Sequence, residues 1–275
     1  MALYIAPIFT ISKYLFNKVS EPVFENRLSR KYSGEALELK VKKSTRNGFK
    51  VLYFGLITLF GFYVFSDTEY QSPIMFGNGD IHHLYSDWPY NKMPQYFKLY
   101  YMIGLSYHLE VTIVHLFSSA QNDFYEMLLH HYITIMLIIG SFMTANWHSG
   151  INVLIQMDNG DCLGGLIKAT MDFMPVPFVL VNYLGLLFSW IYFRIFAYTY
   201  EVIWKGSLTG RWHVDYTNSS QSVFQMLLVG LLILNVYWTI LFFRMGYRFV
   251  NKGEIKDIQN PIEDKMKRDP AVKAK

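Results

Sequence analysis

The chain has 275 residues, of which 52% are apolar and 18% aromatic, and its formal net charge is +4. Several apolar stretches are about 20 residues long, enough for a helix to cross a bilayer, which excludes an ordinary soluble domain. The positive charge sits in the flanks, where anionic lipid headgroups are the nearest partner, so no nucleic acid is called for, and the lone Cys162 excludes an intrachain disulfide.

Residues 1–50 carry ten Lys/Arg against four Asp/Glu and form a basic amphipathic arm. Its opening, "MALYIAPIFTISKYLF", holds a short apolar run that leaves a seventh, peripheral or re-entrant segment open. "RLSRKYSG" has the composition of a solvated linker, and residues 34–50 have the mixed charge of a surface helix leading into the first span. No basic region, apolar run and cleavage site follow one another in order, so a removable secretory signal is not expected.

Six spans are expected: Val51–Phe65, Tyr96–Phe117, Phe124–Ala145, Ile151–Phe173, Phe178–Tyr200 and Val223–Val250. They make residues 51–250 one all-α transmembrane domain. The loop Ser66–Met93 has one lysine and four acids, whereas the chain from Tyr247 has eight basic residues against five acidic. By the positive-inside rule both ends lie on the cytoplasmic side, which requires an even number of spans. The tail, residues 251–275, is charged and contains Pro261 and Pro270, so it is expected to be disordered unless other membrane subunits hold it.

Ionisable residues at membrane depth face a bundle interior or a water-filled cavity and raise a functional hypothesis. Here they fall in two consecutive spans. Glu126, His130, Thr134 and Ser141 share one stripe of the third, with His131 about 100° round from His130. Asp158, Asp161, Lys168 and Asp172 share one stripe of the fourth, with Gly165 between them. If the stripes meet across "NWHSG", an imidazole base and a carboxylate partner share a cavity inside the membrane. The plainer alternative is a set of satisfied core histidines beside a self-neutralising Asp–Lys pair.

No metal centre is expected. The H-x-x-H-H spacing of membrane di-iron enzymes is absent, and His108 and His115, seven apart on the second span, have no third ligand in sequence. His82, His83 and His213 suit interfacial loops. No G-x-S-x-G elbow, P-loop or dinucleotide fingerprint occurs.

"DFYEMLLHHYITIMLIIGSF" followed by "GINVLIQMDNGDCLGGLIK" resembles the signature of the ceramide synthases within the TLC family: an acidic-aromatic lead-in, H-H-x-x-T, a downstream serine, then D-x-x-D with a lysine seven residues later. "YSDWPYNKMPQYFKLYYMIGLSYHLE", "FSWIYFRIFAY" and "LLILNVYW" resemble the family's flanking spans, over residues 40–250 in all. The resemblance implies a helical barrel around a lipid cavity and transfer of a fatty acyl group from acyl-CoA, a co-substrate, to the amine of a sphingoid base, with no bound cofactor. It implies that His130 and His131 act as base or transient acyl acceptor and that Asp158 and Asp161 orient and charge-balance them. Lys168 and Arg194 match basic positions that meet acyl-CoA phosphates or neutralise the acids, and Thr134 and Ser141 join them as substrate-binding candidates. An endoplasmic reticulum membrane is the implied setting.

Met157, Gly160, Gly165 and Asn235 stand where the family often has histidine, serine, glutamate and histidine; Asn146 is one position off the family's asparagine, and His148 replaces a basic residue. These departures support an alternative, a catalytically inactive structural or lipid-binding subunit of a larger membrane complex, with the mitochondrial inner membrane as one setting.

Overall fold

A computed structural model of the protein describes residues 2–65, 68–80, 83, 90, 92–118, 123–209 and 219–252. The expected C-terminal tail, His82 and His213 lie outside the described residues. Seven α-helices follow in order: α1 (Ala2–Leu28), α2 (Gly34–Phe65), α3 (Phe97–Leu116), α4 (Phe124–Met143), α5 (Trp147–Thr170), α6 (Val176–Ser189) and α7 (Ser219–Lys252). From α6 the chain continues in π-helical winding over Trp190–Thr209. A 3-10 turn, Pro73–Met75, lies between α2 and α3.

The solvent-facing positions are apolar at helical spacing. On α2 they are Leu52, Leu56, Leu59 and Tyr63; on α4, Tyr125, Leu129, Tyr132, Met136, Ile139 and Met143; on α7, Met226, Val229, Ile233, Val236, Ile240 and Phe243. Intervals of three and four put each set on one stripe. Stripes of this extent would be a liability in water and are the natural coat of a protein embedded in lipid. Among the described residues, four helical stretches are long and apolar enough to cross a membrane: Gly34–Phe65, Phe124–Met143, Val176–Leu208 and Ser222–Asn251. The protein is an integral membrane protein built from helices. The expected second and fourth spans correspond to α3 and α5, which do not meet that measure; α5 carries Asp158, Asp161 and Lys168 within its length.

Contacts run in a closed circuit from α2 to α3, α4, α7, the α6–π helix, α5 and back to α2. Neighbours alternate in direction. One end of the bundle, the basic end, gathers the starts of α2, α4 and α6 with the ends of α3, α5 and α7; there Asp172, just past α5, pairs with Lys40 at 2.6 Å and Lys43 at 3.4 Å. The opposite end holds Tyr101 of α3, whose hydroxyl donates to the Trp147 carbonyl at 3.0 Å and lies 3.1 Å from the Ser141 hydroxyl. Gly150 permits that junction, since a Cβ there would stand 1.9 Å from the Tyr101 hydroxyl.

The surface helix expected at 34–50 is continuous with the first span, because no Pro or Gly pair interrupts α2 at that point. Helix α1 lies across the seam between α2 and α3. Phe9 meets Tyr53 and Tyr107 edge-on at 5.4 and 5.6 Å, Phe16 meets Phe49 at 5.7 Å, and Lys13 pairs with the buried Glu110. Its far face exposes Tyr4, Ile8, Ile11, Leu15 and Val19, again an apolar stripe.

Candidate functional site

Among the described residues, the inner faces of the bundle line two chambers. The chamber toward the basic end is walled by Phe54, Tyr107, Val111, Trp190, Trp238 and Phe242, with Lys50, Lys168 and Arg194 as cations and Asp161 as a carboxylate. The chamber toward the opposite end has an apolar wall including Leu137, Ile138, Val153, Leu154, Leu228 and Leu231; its polar groups include Thr134, Ser141, Asn146 and Ser149. Three residues line both: His108, His130 and Asp161. The chambers therefore meet at a waist of two imidazoles and a carboxylate.

His130 reaches the waist from α4, one turn before Thr134, and both face inward because the opposite stripe of α4 is apolar. His130 and His131 are 6% and 5% exposed, and the Nδ1 of each has no hydrogen-bond partner among the described residues. The rings are 5.6 Å apart, and Trp238 of α7 meets His130 edge-on at 5.3 Å. His131 lines the basic-end chamber alone; its ring lies 6.4 Å from that of His108 and 5.7 Å from that of His115, which lines neither chamber. An unpartnered ring nitrogen in so buried a place loses hydrogen bonding that water once supplied, and a cavity that admits a substrate is where the loss can be recovered.

Asp158 and Asp161 arrive from α5. Asp158 is buried and lines the apolar chamber, while Asp161 is one-third exposed at the waist. Arg194, 1% exposed, is 2.7 Å from the Asp161 carboxylate and also donates to the Met157 carbonyl. Its guanidinium lies over the Trp190 ring at 3.9 Å. Arg194 is thus ion-paired with Asp161 while still lining the basic-end chamber. Lys168 lines the basic-end chamber beside Lys50 and Asn47 of α2. Thr134 lines the apolar chamber, and its hydroxyl has no partner among the described residues. Ser141 lies farther along the same wall, bonded to Tyr101. Asp172, expected on the same stripe as Asp161, is held outside the chambers by Lys40 and Lys43.

The sequence departures converge on Arg194. A Cβ at Gly160 would stand 2.9 Å from Arg194 Nε and 3.1 Å from the Trp190 ring, so glycine is what lets the guanidinium lie there. Asn235, fully buried on α7, places its side-chain nitrogen 3.7 Å from Met157 Sδ, and its backbone carbonyl accepts from Trp190 Nε1 at 3.4 Å. Met157, Gly160 and Asn235 are thus neighbours packed around one ion pair. Gly165 has a separate reason: a Cβ there would meet the Asn47 carbonyl and Val51 at 3.3 Å, where α5 lies tight against α2. His148 is stacked on Trp147 at 3.5 Å, beside Tyr70, away from the waist.

Sequence reasoning weighed His108 only as half of a metal pair and did not single out Lys50. The signal for His108 was present: Tyr101, Gly104, His108, Val111 and His115 recur at three and four on α3. His115 instead bonds the Phe124 carbonyl at 3.0 Å. Among the described residues no group of three or more His, Cys, Asp or Glu is arranged to hold a metal ion.

Comparison with known proteins gives the arrangement a context. The TLC domain family matches residues 43–244. Sphingosine N-acyltransferase lac1 of Schizosaccharomyces pombe is 27% identical over 248 residues, covering 86% of this chain and 62% of its own length. Ceramide synthase hyl-2 of Caenorhabditis elegans is 24% identical over 82% of this chain and 70% of its own length. Ceramide synthase LAG1 of Saccharomyces cerevisiae is 23% identical over 82% of this chain and 56% of its own. The chain thus spans somewhat over half to about two thirds of these relatives.

Proposed function

Because the chain belongs to the TLC-domain family and is ceramide synthase-like within it, we propose that it transfers a fatty acyl group from acyl-CoA to the amine of a sphingoid base inside the membrane. The observation that carries this is the waist: His130 stands where a cation-lined chamber meets an apolar one. An acyl-CoA has the same division, a polyanionic head joined through a thioester to a long alkyl chain. With its phosphates toward Lys50 and Lys168 and its chain along Val153, Leu154 and Leu228, the thioester carbon falls at His130.

The chemistry needs little more. A neutral imidazole takes the proton of the attacking amine or accepts the acyl group transiently. Asp161, tethered by Arg194, and Asp158 deeper in offset the positive charge that develops on the ring, an effect enlarged where water is excluded. Lys168, Thr134 and Ser141 are the substrate contacts in this scheme.

The same reading takes the circuit of contacts as a barrel of six spans, α2 to α7, with α1 lying as a peripheral seventh helix in the basic arm of residues 1–50. It puts the basic end toward the cytoplasm, where acyl-CoA is met, in an endoplasmic reticulum membrane. Of the polar losses that favoured an inactive subunit, Gly160 packs against Arg194, Asn235 against Trp190 and Met157, and Gly165 against α2, while His130 and Asp158 still face the cavity, which supports the acyl-transfer reading over the inactive one.

The test is N-acylation of a sphingoid base by purified full-length protein with long-chain acyl-CoA, beside a His130→Ala/His131→Ala double variant. Turnover that disappears in the variant is the expected result. No turnover across a series of acyl-CoAs, from protein shown to be folded, would make the structural subunit the better account.

A further inference from the structure

His108 is the residue at the waist that the scheme above leaves unused. It is 6% exposed, it lines both chambers, and its Nδ1 has no hydrogen-bond partner among the described residues. It reaches the waist from α3, across the cavity from neither of the spans that carry the His-His and Asp pairs, with Tyr107 edge-on at 5.8 Å and His131 at 6.4 Å. A buried polar atom ordinarily has a hydrogen-bond partner, and the Nδ1 of His108 has none among the described residues. His115, two turns further along the same stripe, shows the contrast: its ring bonds a backbone carbonyl and stacks on Phe124 at 4.4 Å.

We propose that His108 is a second catalytic imidazole, the acid that protonates the departing thiolate while His130 takes the proton of the attacking amine. The proposal rests on the acyl-transfer reading. In the step, the amine nitrogen attacks the thioester carbonyl carbon, the C–N bond forms and the C–S bond breaks. The sphingoid base arrives as an ammonium: its first proton goes to His108, freeing the amine to attack, its second goes to His130 as the C–N bond forms, and the sulfur leaves with the proton now on His108. His130 then releases its proton, the one net proton that acylation of an ammonium yields, and both rings are neutral again. Two imidazoles at one opening give each end of the reacting bond its own proton partner. One imidazole would have to serve the amine and the sulfur in turn.

The experiment compares His108→Gln and His115→Gln with wild-type full-length protein. For His108→Gln, kcat falls by about 100-fold or more, as for removal of a general acid, while KM for acyl-CoA and for sphingoid base each stay within about 3-fold, and added imidazole restores part of the rate. His115→Gln, outside both chambers, retains wild-type turnover. Because a variant in the wall of a cavity can fail to fold, a second measurement uses the wild type alone. Diethyl pyrocarbonate labelling is mapped by mass spectrometry with and without a thioether analogue of acyl-CoA. His108 and His130 are expected to be protected together, and the exposed His83 to react in both conditions. Wild-type turnover with an unimpaired His108→Gln, or a His108 that labels equally with the analogue bound, overturns the assignment and leaves the acyl-transfer reading standing. Absence of wild-type turnover overturns that reading, and the assignment with it.

Discussion

The two chambers share a wall and differ in almost everything else. The one at the basic end gathers Lys50, Lys168 and Arg194 with Asp161, among Trp190, Trp238, Tyr107 and Phe54. The other is lined by aliphatic side chains, with hydroxyl and amide groups and with Asp158 and Asp161 on the side toward the waist. A wall that carries several cations suits an anionic ligand, and an apolar chamber binds alkyl chains by burying them. Side by side, they describe a ligand that is anionic at one end and greasy at the other. The difference teaches where the reacting bond lies: at the boundary, beside His130.

The comparison can be broken at the boundary, with the largest effect. Losing both imidazoles in His130→Ala/His131→Ala should abolish turnover while leaving acyl-CoA binding measurable by isothermal titration, since neither ring is needed for the charge match at Lys50 and Lys168. If binding is lost as completely as turnover, the histidines hold the fold rather than the reaction. Next in size is the tether on the waist. Asp161→Ala leaves the Arg194 guanidinium buried without its carboxylate, a change that costs about 3 kcal/mol, at the low end for a broken buried pair because Asp161 is itself partly exposed. A melting temperature in detergent equal to that of wild type would show that the pair bears no weight.

The contrast between chambers is sharpened by changing one at a time. Lys50→Gln/Lys168→Gln should raise KM for acyl-CoA about 10-fold, equivalent to roughly 1.4 kcal/mol, and leave KM for the sphingoid base unchanged. A rise in both would mean that the two substrates share the basic-end chamber. Leu228→Trp, in the apolar wall, should shift the preferred acyl chain toward shorter lengths, with about 0.8 kcal/mol lost for each methylene no longer buried. Unaltered chain preference would move the alkyl group elsewhere. The smallest effect is expected at Gly165→Ala, where a methyl against Asn47 and Val51 costs about 1 kcal/mol of stability, and a neutral result would mean that α2 yields easily.

Much of this was legible in the sequence. Apolar stripes marked the helices, and rare ionisable residues at stripe spacing singled out His130, Asp158 and Asp161 as candidates, because a polar group in a membrane helix has few reasons to exist; all three line the apolar chamber. What was hidden depends on distance along the chain. His108 gains its meaning from facing His130, some 22 positions later on a different helix, and no local pattern marks that meeting. Arg194 could be read as a phosphate contact or as a counter-charge; its pairing with Asp161 is a matter of which faces of α5 and the π-helical segment meet. Gly160 looked like a lost polar group because a sequence shows what a glycine lacks and not what fills the space beside it, here Arg194 itself. The mixed charge of residues 34–50 suggested a surface helix, and the segment is helical, but Lys40, Val41, Lys43, Thr45 and Phe49 are buried because α1 and α5 pack over it, and with no break before Val51 it forms one element with the first span.

The most direct test of the boundary is a structure of the full-length protein with a non-hydrolysable thioether analogue of a long-chain acyl-CoA. The account predicts the carbon next to sulfur about 3.5 Å from a ring nitrogen of His130, within reach for attack, with the phosphates near Lys50 and Lys168 and the chain along Leu228. An analogue lying wholly in one chamber, or on the outer surface, with the waist empty, would contradict it.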